Sequence, residues 1–78
     1  MSITSAPVFG SVLRRLRRER GMTQEQLAEA ADLHVNHVSF LERGMRTPSL
    51  DVVLQIARGL GTTGAELVTE VESALDEA

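Results

Sequence analysis

Helix-start and helix-stop signals alternate so closely along this 78-residue chain that no element in it has room to be long. Pro7 suits a first helical turn, where its missing N–H is not needed, and Gly21 supplies the next stop. Thr23-Gln24-Glu25-Gln26 then reads as a capping box, with the threonine side chain on the third amide and Gln26 reaching back. Ser49 is placed to cap again, Gly44 and Gly61 suit helix ends, and Thr63-Gly64-Ala65-Glu66 is a second capping box. Between these marks the apolar residues keep helical spacing: Phe9, Val12, Leu13 and Leu16; Leu27, Ala28 and Ala31; Val38 and Leu41; Leu50, Val53, Ile56, Ala57 and Leu60; then Leu67, Val68, Val71 and Leu75. The expected fold is all-α, a compact set of five short helices. A small polar arm at residues 1–6 precedes one domain at 7–78, with the fifth helix over about 64–75.

A domain this small buries only about 60% of the surface its unfolded chain exposes, so it needs good packing or a partner. Cysteine is absent, and His34 and His37 lack a third ligand, which excludes a disulfide and argues against a bound metal. Two phenylalanines with no tryptophan or tyrosine speak against a many-stranded β fold. No apolar run reaches the roughly 20 residues of a membrane helix, and MSITSAPVFG does not read as a signal peptide, so the expectation is a cytoplasmic protein. With no cysteine, no carboxylate pair suited to a cleft and no glycine-rich phosphate loop, there are no roles to assign in an enzyme. Neither a cofactor nor a small-molecule ligand is expected.

The net charge of −3 hides a segregation. All eight basic residues are arginines between Arg14 and Arg58, and residues 1–65 carry +2, whereas the last thirteen residues carry −5. Five of the arginines crowd into RRLRRER on the first helix. Successive helical residues point about 100° apart, so these five spread round the cylinder, and a solvated face is the plain expectation. Arg14 and Arg18 share a side from which a phosphate could be reached.

Helices two and three, joined by about four residues, have the layout of a helix-turn-helix, whose second helix enters a major groove about 12 Å wide. The residues around them carry a resemblance. Thr23-Gln24-Glu25-Gln26-Leu27-Ala28, then Ser39 with Leu41-Glu42-Arg43-Gly44, then Thr47-Pro48-Ser49-Leu50 resemble the lambda-repressor and Cro-like (XRE-type) regulators over residues 9–68. Within that family the chain is similar to the stand-alone controller proteins of restriction-modification systems, in which helix five builds a two-fold dimer. The resemblance implies a transcriptional regulator that binds double-stranded DNA as a homodimer on a palindromic operator, helix three lying in the major groove.

The same resemblance assigns base readout to Val35, Asn36, Ser39 and Phe40. Asn36 suits adenine, Ser39 either base type and Val35 a thymine methyl, whereas Phe40 offers only apolar contact or tucks against the protein. Gln24, at the start of helix two, is placed to meet a phosphate where free amides and the helix dipole favour one. Arg43, Arg46, Thr47 and Ser49 fall in the segment that runs beside the DNA backbone in similar proteins, Ser49 also being a helix cap. Arg17 and Glu42 match the positions of an ion pair between helix one and the end of helix three. His34 stands where related sequences place a serine or threonine cap, a loss of about 1 kcal/mol that Asp32 would partly recover. His37 stands where the family often has an aromatic, which points to packing or a phosphate contact. The stripe Val68, Val71 and Leu75 is the expected dimer interface. A different class of function, a protein-interaction module such as an antitoxin or anti-regulator, would use the acidic tail and Phe40 to meet another protein.

Overall fold

A computed structural model describes residues 3–77; Met1 and Ser2 of the expected arm, and Ala78, lie outside the described residues. Five helices follow one another: α1 Ala6–Glu19, α2 Gln24–Ala31, α3 Val35–Glu42, α4 Leu50–Leu60 and α5 Gly64–Glu77. Among the described residues there is no strand.

The boundaries follow local chemistry. The Thr23 hydroxyl accepts from the Gln26 amide while the Gln26 side chain accepts from the Thr23 amide, so both halves of the α2 capping box form. Ser49 Oγ accepts from the Val52 amide at the head of α4. At α5 only half of the expected box closes: Thr63 Oγ1 accepts from the Glu66 amide, but the Glu66 carboxylate turns to the Thr62 hydroxyl at 2.8 Å. A second hydroxyl one residue upstream offers a charged acceptor a better donor than a backbone amide does.

The core is Phe9, Val12, Leu13 and Leu16 from α1, Leu27, Ala28 and Ala31 from α2, Val38 and Leu41 from α3, Ile56, Ala57 and Leu60 from α4, and Leu67 and Val71 from α5. Two residues expected to face the core stand elsewhere: Leu50 is 71% exposed and Val53 is half-buried. Leu50 begins α4, so its helical phase is that of a core residue but its first turn runs past the helices that would cover it.

Helix α2 packs on α3 and α4, α1 on α3 and α5, and α4 on α5. Residues 32–34 alone link α2 to α3, and Asp32 makes the turn with φ +57°, a left-handed conformation that costs a non-glycine residue about 1–2 kcal/mol. Gln55 on α4 offsets part of that cost by donating its side-chain amide to the carbonyls of Ala31 and Asp32, which closes the exposed end of α2. The arginine run of α1 is largely exposed, only Arg17 being buried, but four of its five side chains are engaged by other groups of the molecule. Arg14 and Arg17 reach Glu42, Arg15 reaches Glu19 and Glu70, and Arg20 donates to the Leu60 carbonyl at the end of α4. Short helices packed this closely bring Glu42 of α3, the Leu60 carbonyl of α4 and Glu70 of α5 within reach of the run. Arg18 alone of the five has no side-chain hydrogen bond among the described residues.

Candidate nucleic-acid interface

Helix α3 is only eight residues long, about 12 Å from end to end, so its function depends on what holds each end. At its head the sequence places a histidine where a hydroxyl cap is usual. The cap is not lost: His34 Nδ1 accepts from the Asn36 amide at 3.1 Å, a bond that requires this nitrogen to be unprotonated. Asp32, expected to recover the cap, is instead committed to the left-handed turn.

At its tail, Glu42 ends α3 almost wholly buried, 6% exposed, beside Arg17 at 8%. Arg17 donates from Nε at 2.6 Å and from a second guanidinium nitrogen at 3.0 Å, a two-pronged grip on one carboxylate. The Gln24 side-chain amide adds a bond at 3.0 Å and Arg14 Nε another at 3.4 Å. Burial pushes the Glu42 carboxyl up, but the bonds from Arg17 and Gln24, the Arg17 charge and the Arg14 bond outweigh it and hold the group below its ordinary value. The Glu42 bond raises Arg17 in turn, against the opposing effect of burial. Among the described residues no buried side-chain polar atom is without a partner. One carboxylate thus ties α1, α2 and α3 together, and Gln24, the residue expected at a phosphate, is oriented by it while its own backbone amide remains at the open N-terminus of α2.

The residues expected to meet bases are presented unequally. Asn36 is exposed in the first turn of α3, and among the described residues its backbone amide is hydrogen-bonded but its side chain is not. Ser39 is half-buried one turn on, and His37 is half-buried beside it. Val35 packs partly on the core, leaving less of it for a thymine methyl than expected. Phe40 is half-buried, and its ring carries two cations: the guanidinium carbon of Arg43 stands 5.1 Å from the ring centre and that of Arg46 5.5 Å. Each such contact contributes about 0.5–1 kcal/mol at an exposed site. Neither arginine has a carboxylate in ion-pair range among the described residues, whereas Arg14, Arg15 and Arg17 all do. Thr47 and Ser49 follow on the exposed side of the loop, Ser49 with its hydroxyl in the α4 cap.

Of the predicted dimer residues, Val71 is largely buried in the core, Leu75 is half-buried and Val68 is exposed. Val68, Val71 and Leu75 line an apolar groove of about 310 Å³ with Phe9, Pro48 and Val53. Leu50 and Leu54 on α4 are exposed too, at 71% and 45%, Leu54 packing close to Gly64 at the head of α5. The exposure of Leu50 and Leu54 was signalled in the sequence only by their i, i+4 spacing beside an otherwise sufficient α4 core stripe. The pairing of Phe40 with two arginines was signalled only by the spacing Phe40, Arg43, Arg46.

Among the described residues no helix is long and apolar enough to cross a membrane, and no cluster of histidine and acidic residues could hold a metal ion. A family model described as Helix-turn-helix matches residues 13–67. The chain is 40% identical over 65 residues to an uncharacterized HTH-type transcriptional regulator, y4dJ, of Sinorhizobium fredii, covering 83% of this chain and 84% of that one. It is 39% identical over 62 residues to the control protein C.BamHI of Bacillus amyloliquefaciens, covering 78% of this chain and 76% of that one. Its fold is similar to the crystal structure of the restriction-modification controller protein C.AhdI from Aeromonas hydrophila, with a TM-score of 0.78 and 37% identity over 83% of this chain and 98% of that one.

Proposed function

This chain belongs to the helix-turn-helix family, in its lambda-repressor-like, XRE-type branch, and from that premise we propose that it is a sequence-specific DNA-binding transcriptional regulator acting as a homodimer. The observation that carries the proposal is the division of labour on and after α3: among the described residues the Asn36 side chain at the head is uncommitted, and Arg43 and Arg46 at the tail have no carboxylate partner. Asn36 supplies readout by pairing with an adenine edge, and Ser39 and the exposed part of Val35 contribute beside it. Gln24, His37, Arg43, Arg46, Thr47 and Ser49 contact the backbone, which supplies most of the affinity without regard to sequence. The overall negative charge is no obstacle, because the acids that produce it lie in α5, while those near α3 are fewer and Glu42 is neutralised in place.

The dimer forms through the apolar surface of α4 and α5, with Leu50 and Leu54 added to Val68, Val71 and Leu75. Two α3 helices about 34 Å apart would then meet a palindromic operator. Selection of bound fragments from random DNA, repeated with Asn36→Ala, tests the reading. The expected result is a palindrome in which Asn36→Ala relaxes one position per half-site, at a cost of about 1–3 kcal/mol for the matched base. Absence of saturable binding at low salt would remove DNA as the partner and favour a protein one.

A further inference from the structure

We propose that Phe40 is a positioning residue for backbone contact: its ring holds the guanidinium groups of Arg43 and Arg46 as a preformed pair for DNA phosphates, and it does not itself read bases. The inference rests on the DNA-binding function proposed above and changes what one residue of α3 does within it. Two arginines close together would separate in water, since like charges repel and both side chains are long and free to turn. Here the electron-rich ring is within 5.5 Å of both guanidinium carbons. Arg43 is held a second time, its Nε donating to the Ser39 carbonyl at 3.4 Å.

The chain between the two arginines is fixed as well. Gly44 turns with φ +71°, and a Cβ there would stand 2.9 Å from the backbone of Pro7, so the turn lies directly on α1. Side chains ordered before binding lose less freedom on binding, which raises affinity without adding a contact. A ring engaged by two cations also has less apolar surface to offer a thymine methyl. Of the arginine run of α1, all but Arg18 are engaged by Glu19, Glu42, Glu70 or backbone carbonyls, whereas Arg43 and Arg46 stand together at the tail of α3 without a carboxylate in ion-pair range among the described residues.

The test compares Phe40→Leu, which keeps apolar bulk, with Phe40→Tyr, which keeps the ring. Each is titrated against a mixed-sequence DNA duplex and against a duplex selected from random DNA, over a salt series, with thermal unfolding recorded alongside. Phe40→Leu should weaken both duplexes by about tenfold and shrink the salt slope by about 1–2, with base preference unchanged, while Phe40→Tyr binds as the parent does. In an Arg43→Ala, Arg46→Ala background Phe40→Leu should add no further loss. In the free protein, ring-current shifts on the side-chain protons of Arg43 and Arg46 should vanish in Phe40→Leu. A changed base preference with an unchanged slope, losses that add in the triple variant, or arginine shifts indifferent to the ring would each overturn the inference while DNA binding stands. A parent protein that binds neither duplex would overturn the DNA-binding function and this inference together.

Discussion

Glu42 is the residue on which most of the site converges. Its carboxylate accepts from side chains on α1 and α2 while closing α3, so removing its charge leaves Arg17 buried beside nothing that balances it. Glu42→Gln should cost about 3–5 kcal/mol, a large share of the stability of so small a domain, measurable by urea unfolding. The sign of the pH effect follows from the depressed carboxyl. The folded state holds the proton more weakly than the unfolded chain does, so the stabilisation is fully present above the ordinary carboxylate range. It is lost as pH falls through that range and then through the lower folded value. Glu42→Gln should flatten this acid limb of the stability curve. The ion pair itself was legible by resemblance, from Arg17 and Glu42 standing in matching positions. The claim of Gln24 and Arg14 on the same carboxylate was not, because contacts 18 and 28 residues apart in sequence depend on how the helices cross.

Elements were legible where local chemistry decides them, as with the Thr23 capping box and the Ser49 cap, and less so where tertiary contact does. Gly10, in the middle of α1, is a case in which the signal was present but unread: an interior glycine weakens a helix unless something must come close. A Cβ there would stand 2.7 Å from the Glu42 carbonyl oxygen and closer still to that of Leu41, both backbone atoms that no side-chain rotation can move aside. Gly10→Ala gains about 1 kcal/mol of helix propensity but forces α1 off the end of α3, for a net loss of about 1–3 kcal/mol in thermal unfolding. At the other end of α3, His34→Ala should cost about 1 kcal/mol and speed hydrogen exchange at the Asn36 amide, while His34→Ser should restore both. A loss confined to stability, with Asn36 exchange unchanged, would mean that the histidine does not hold the head of the reading helix.

At the scale of the whole molecule, positive and negative charge are sorted onto different helices and apolar surface onto a third region. Arg43 and Arg46 stand uncancelled at the tail of α3, acids line α5, and Leu50 and Leu54 of α4 and Val68 of α5 are exposed. Periodicity alone placed Leu50 in the core, because phase tells which residues share a side of a helix but not where the neighbouring helix ends. The exposure of Leu50 and Leu54 extends the proposed dimer surface from one helix to two and suits a domain too small to be secure alone. Val68→Glu tests this with little risk to the fold, since the side chain is already 42% exposed and leaves the core unaltered. Circular dichroism should remain that of five helices, while sedimentation at micromolar concentration shifts from dimer to monomer. Binding to a selected palindrome should fall by about 100-fold or more, because two linked half-site contacts become two independent ones, whereas binding to a single half-site should hardly change. Equal losses on both DNAs would place Val68 in the folding of the domain, and an unchanged sedimentation coefficient would move the two-fold contact away from α4 and α5.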